Sequence, residues 1–113
     1  MVMAKFTPDS GDIIWIEFDP KAGREQGGRR PALVISEAAY NEKTGLAICC
    51  PITRTIRNNP FEVLADIEGT PSAILSDHLK SIDIEARYAK KLSRVDFQTL
   101  AEVKARVKAL IGL

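Results

Sequence analysis

This 113-residue chain has one histidine and two cysteines, and the cysteines, Cys49 and Cys50, are neighbours. So small a set does not furnish a common zinc site, which draws several ligands from Cys, His and acidic residues. Neighbours on a strand point to opposite faces, so the pair is not placed to bridge itself. Ala47, Ile48 and Ile52 surround the cysteines with apolar side chains, which marks them as buried core thiols in a reducing, cytoplasmic setting. No glycine-rich loop ends in Lys-Ser or Lys-Thr, which argues against a nucleotide-binding P-loop. His78 has no nucleophile evidently tied to it, so no Ser-His-Asp set declares itself. No apolar run approaches the ~20 residues of a membrane helix. The first residues lack a long apolar stretch followed by a cleavage site, so no signal peptide is expected. A formal net charge of +1 leaves no overall field to announce a nucleic-acid binder.

What is present is a β-rich pattern with unevenly distributed charge. The 45% hydrophobic content is that of a packed core, and the length suits a single domain over residues 1–113. Between Lys21 and Arg30 four cations face only Glu25, and Arg54 and Arg57 stand unopposed in the following loop. Residues 61–69 hold Glu62, Asp66 and Glu68 with no base. A basic region and an acidic region thus hide behind the near-neutral total.

The organising stretch is residues 11–36: a strand from Ile13 to Phe18, a charged glycine-containing loop, and a second strand after Pro31. Alternation puts Ile14, Ile16 and Phe18 on one face and Ile13, Trp15 and Glu17 on the other, both mostly apolar, as in a small barrel or sandwich. Residues 1–10 read as a loosely held arm. Ser36 is placed to cap a short helical turn ending near Tyr40. Further strands are expected over residues 46–52, 61–65 and 72–75, with weaker candidates at 81–84 and 88–92. Asp77 is placed to cap a single helical turn over residues 77–80. Residues 93–112 form the terminal helix, opening on a capping box from Ser93 to Asp96. Its apolar face is Phe97, Leu100, Val103, Val107, Leu110 and Ile111.

With metal and cofactor chemistry unsupported, the remaining polar set is Arg, Thr, Glu and backbone amides. That set suits cleavage of RNA by its own 2′-hydroxyl. Such a reaction needs a base, an acid, and cations or donors for the crowded phosphorane. Arg29 and Arg30 carry the fork geometry that grips phosphate. Thr53 has a hydroxyl to donate to a phosphate oxygen. Glu25 is the most conventional base, since arginine's ordinary pKa lies above ~12.

Several segments together resemble the MazF/PemK-type toxins: Gly11-Asp12-Ile13-Ile14-Trp15, Phe18-Asp19-Pro20, Gly23-Arg24-Glu25-Gln26-Gly27 and Arg30-Pro31-Ala32. Tyr40-Asn41, Pro51-Ile52-Thr53, Pro60-Phe61-Glu62-Val63, Ser76-Asp77-His78 and Lys80-Ser81-Ile82 extend the likeness in order. The resemblance implies an SH3-like β-barrel with a C-terminal helix. It also implies a homodimeric endoribonuclease that cuts single-stranded mRNA without a metal or other cofactor and leaves 2′,3′-cyclic phosphate and 5′-hydroxyl ends. A cognate antitoxin with an acidic, disordered tail is the implied partner. Arg30, Thr53 and Glu25 are then the expected catalytic residues, with Arg30 as acid, base or charge stabiliser. Arg24, Gln26, Arg29, Arg54, Arg57, Phe61, Asp77, His78 and Lys80 are the expected RNA contacts.

Two departures from the family pattern bear on this. Leu75 stands where some relatives have an arginine, so no Arg–Asp pair forms with Asp77, which is left as an RNA contact or a cap. His78 stands where glutamine is common, either altering base preference or lying idle on the surface. Trp15 reads as core or dimer interface rather than an RNA platform, and Phe61 as core or a stacking surface. The alternative function on this fold is a non-enzymatic gyrase poison. Its Trp-Gly-Ile ending is missing here, where the chain closes Leu110-Ile111-Gly112-Leu113.

Overall fold

The computed structural model describes residues 6–17 and 29–113. Among these residues, seven antiparallel strands form one half-barrel sheet, and two helices accompany it. In chain order these are β1 (Asp12–Glu17), β2 (Arg29–Val34), α1 (Ala38–Thr44), β3 (Leu46–Thr53), β4 (Glu62–Ile67), β5 (Thr70–Leu75), β6 (Lys80–Asp83), β7 (Lys90–Arg94) and α2 (Phe97–Leu110). The strands run β4-β5-β3-β2-β1-β7, with β6 alongside β3. β3 is the hinge of this arrangement. One edge pairs with β2, while the other pairs with β6 over Leu46 to Cys49 and with β5 at Ile52 and Thr53. Pro51, which has no N–H to donate, falls in the gap between those two partners.

The sheet buries side chains on both faces, as the alternation in β1 requires. Ile13, Leu33, Cys50, Ile52, Val63 and Ile74 pack with Val103 and Val107 of α2 on one face. Ile14, Ile16, Ala32, Val34, Cys49 and Ile82 form the core on the other. The adjacent thiols therefore do point apart. Each fully buried Ile, Leu or Val contributes about 1.5–3 kcal/mol relative to exposure, so the two clusters dominate the fold's stability.

Five local expectations change. Residues 6–10 are not a loose arm: Pro8 is buried, its carbonyl accepts from Asn41 Nδ2 at 2.8 Å, and Asp9 Oδ1 accepts from Ala38 N at 3.0 Å and Ser10 N at 2.8 Å. Those backbone hydrogen bonds hold the Asp9 carboxyl below its ordinary pKa of 3.8. Ser36 does not cap α1, which begins after Glu37 and runs to Thr44. The Ser36 hydroxyl instead donates to Asn41 Oδ1 at 2.6 Å and accepts from Ile48 N at 2.8 Å, tying α1 to β3.

Residues 77–80 are a turn rather than a helical turn, because Lys80 already pairs with Cys49 in β6. The terminal helix starts at Phe97, not at residue 93. Ser93 and Arg94 pair with Ile13 and Asp12 in β7, and Asp96 is the cap, accepting from Thr99 N at 2.7 Å. Nor does the whole apolar stripe of α2 face the sheet: Phe97, Leu110 and Ile111 are exposed. Among the described residues, no helix is long and apolar enough to cross a membrane.

Candidate functional site

An open cleft of about 590 Å³ lies where β1 and β2, the end of β3, and the β4–β5 hairpin meet. Strand pairing delivers its side chains. Trp15 lies opposite Pro31 and Ile16 opposite Arg30, so Arg29 and Arg30 enter the cleft from the first residues of β2. Thr53 ends β3 opposite Ala73, half buried, and its Oγ1 accepts from Thr55 N at 3.1 Å. This short turn brings Arg54 into the same lining. The Arg29 guanidinium stands 5.7 Å from the centre of the Trp15 ring, a cation–π approach that orients it beside an aromatic surface.

Arg29, Arg30, Thr53 and Arg54 thus converge, although residues 29–30 and 53–54 are distant in sequence. The other expected contacts stand outside the cleft. Arg57 is exposed on the β3–β4 loop, and Phe61 is half buried, its carbonyl accepting from Ser76 Oγ at 2.5 Å. Asp77 and His78 share an exposed turn, 3.7 Å apart, and Lys80 opens β6. Arg24, Glu25 and Gln26 lie outside the described residues.

Two cleft residues escape a reading by segments. Trp15 is half buried and lines the cleft rather than closing the core. Glu68, at the tip of the β4–β5 hairpin, joins the arginines. It belongs to the stretch that reads as acidic in the sequence, and the strand order, with β5 beside β3, carries it to the basic side. Its one sequence signal is its position just before Gly69, at the tip of a tight turn.

The cleft offers guanidinium groups, hydroxyls and an aromatic face, a set matched to a phosphodiester with unpaired bases. Cysteine nucleophiles play no part, since burial pushes both thiols up to about 12. Among the described residues, no three His, Cys, Asp or Glu side chains gather to hold a metal ion.

Residues 9–111 match the family described as the PemK-like, MazF-like toxin of type II toxin–antitoxin systems. The chain is 41% identical to the endoribonuclease toxin MazF of Escherichia coli K12, over 98% of this chain and all of that one. It is 34% identical to the Escherichia coli endoribonuclease PemK, covering 98% of this chain and 87% of the relative. Among solved structures it superposes on MazF in the Deinococcus radiodurans MazE–MazF crystal (Form-II) with a TM-score of 0.88. Identity there is 44%, covering 96% of this chain and 99% of the other.

Proposed function

This chain belongs to the PemK-like, MazF-like toxins of type II toxin–antitoxin systems, and we propose that it is an endoribonuclease cutting single-stranded mRNA in the cytoplasm. The observation that carries the reading is the convergence of Arg29, Arg30, Thr53 and Arg54 on one cleft beside Trp15. The substrate's 2′-oxygen loses its proton and attacks phosphorus. The bond from phosphorus to the 5′-oxygen breaks, and that oxygen takes up a proton, leaving 2′,3′-cyclic phosphate and 5′-hydroxyl ends. Arg30 and Arg29 stabilise the charge gathering on the phosphorane oxygens, and Thr53 steadies the phosphate. Arg30 also serves as a proton donor or acceptor, and Glu25 is the more conventional base by side-chain chemistry. No metal or other cofactor enters this scheme.

The working unit is a homodimer. Its partner is an antitoxin whose acidic tail occupies the basic cleft in place of RNA, consistent with the MazE–MazF pairing named for the Deinococcus relative. The test incubates wild type, Arg30→Ala and Thr53→Ala with a long unstructured RNA in EDTA and maps the ends. Wild type is expected to cut at discrete sites with cyclic-phosphate ends. Folded Arg30→Ala should be slower by roughly a hundredfold or more. Failure of antitoxin-free wild type to cut overturns the nuclease, and near-normal cutting by Arg30→Ala removes that residue from the mechanism.

A further inference from the structure

Glu68 and Gly69 form a two-residue hairpin turn between Ile67 and Thr70, with φ of +52° and +80°. Both values are left-handed, a geometry favoured for Gly, which has no Cβ to crowd the backbone, and for Asn and Asp, whose short polar side chains bond locally to it. A glutamate occupies the first of these positions at a steric cost that glycine would avoid. Its hairpin is firmly built, with β4 and β5 in register from Glu62 opposite Leu75 to Ile67 opposite Thr70. The carboxylate is therefore displayed from a rigid support at the cleft's edge.

Charge narrows what it can meet. Among the described lining residues, Glu68 is the single carboxylate, set in the same cleft as Arg29, Arg30 and Arg54. No ion pair joins it to a described cation. Phosphates of a bound strand go to the guanidinium groups and are repelled by a carboxylate. The ligand group beside Glu68 must instead offer hydrogen-bond donors. In single-stranded RNA the unpaired base edges supply these: cytosine and adenine each present one amino group, uracil presents N3–H, and guanine alone presents two adjacent donors, N1–H and its N2 amino group, matched to both oxygens of a carboxylate.

Resting on the ribonuclease reading above, we propose that Glu68 is a specificity-determining residue. Its two oxygens accept hydrogen bonds from N1–H and the N2 amino group of one guanine near the scissile phosphate. Adenine, cytosine and uracil, each with a single donor group on that edge, are discriminated against at this subsite.

The test compares wild type, Glu68→Gly and Glu68→Asn on a randomised-sequence RNA, with cut ends sequenced and melting temperatures measured. Both substitutions introduce residues that the turn favours, so melting temperatures should equal or exceed wild type. Preference for guanine at one position is expected to fall about tenfold in both variants, with the rest of the site unchanged. A wild-type map with no guanine preference at any position would overturn the inference. A uniform loss of rate with preference intact would assign Glu68 a different role and overturn the inference, as would an unchanged map. Absence of any cutting by wild type would remove the nuclease reading and this inference together.

Discussion

Asp12 at the start of β1 and Arg94 at the end of β7 meet at 2.7 Å between carboxylate Oδ1 and guanidinium Nη1. The Asp12 side chain is 5% exposed, and its other oxygen accepts from Asp9 N at 2.9 Å. Arg94 also donates from Nη2 to Ser10 O at 3.1 Å, so one guanidinium fastens the N-terminal segment to the last strand. Gly11 lies beneath it at φ +97°, where an added Cβ would come within 3.3 Å of Arg94 Nη2. Replacing Arg94 by Met keeps the aliphatic stem and strands a buried carboxylate. Because Arg94 is half exposed and Lys91 Nζ remains 3.5 Å from Asp12, the loss should be about 2 kcal/mol, below that for a fully buried pair. Urea unfolding of Arg94→Met checks this. A change under about 0.5 kcal/mol would class the pair with ordinary surface contacts.

The two thiols give a pH-dependent prediction. Burial raises both to about 12 from an ordinary 9.0, with Cys49 affected also by Cys50, and Cys50 by Asp77. A raised pKa in the folded state means the stabilisation is fully present below 9 and declines as pH climbs from 9 towards 12. Near pH 8 the native protein should resist Ellman's reagent, whereas denaturant should expose both thiols to rapid reaction. Denaturation midpoints should fall across the alkaline window, and less steeply in a Cys49→Ala, Cys50→Ala double variant. Fast modification of the native protein would contradict the packing assigned to β3.

Much of the fold was legible because periodicity reports burial. Alternation in β1 and the paired cysteines of β3 already separate the two faces that the sheet buries. Boundaries were less legible where tertiary pairing decides them. Ser93 and Arg94 look like a helix start, yet Asp12 and Ile13 hold them in a strand. Phe97 fits the apolar period of α2 but is 84% exposed, since the helix turns only its middle, Val103 and Val107, to the sheet. At the site, Arg29, Arg30, Thr53 and Arg54 could be nominated by residue chemistry. Glu68 could not, because its nearness to arginine arises from strand order rather than from sequence distance.

The loop carrying Arg54 and Thr55 into the cleft is held by a residue outside it. Glu62, at the start of β4, is 8% exposed, and its carboxylate accepts from Arg57 N at 3.0 and 3.2 Å and from Asn58 N at 2.8 Å. Asn58 sits at φ +59°, a left-handed conformation that Asn tolerates and that these bonds help fix. Pro60 O accepts from Arg106 Nε at 3.0 Å, which tethers the far side of the loop to α2. Glu62→Ala leaves two part-buried N–H groups without their acceptor, at a cost of about 1 kcal/mol. It should also raise KM for RNA more than it lowers kcat, because Arg54 loses its fixed position while Arg30 and Thr53 keep theirs. Glu62→Gln retains one carbonyl oxygen, enough to receive both the Arg57 and Asn58 amides, and should restore most of the binding. Amide exchange at Arg57 and Asn58, followed with steady-state cleavage, separates the two effects. If Glu62→Ala speeds exchange at those amides while leaving KM unchanged, the loop does not position substrate, and the carboxylate serves only the fold.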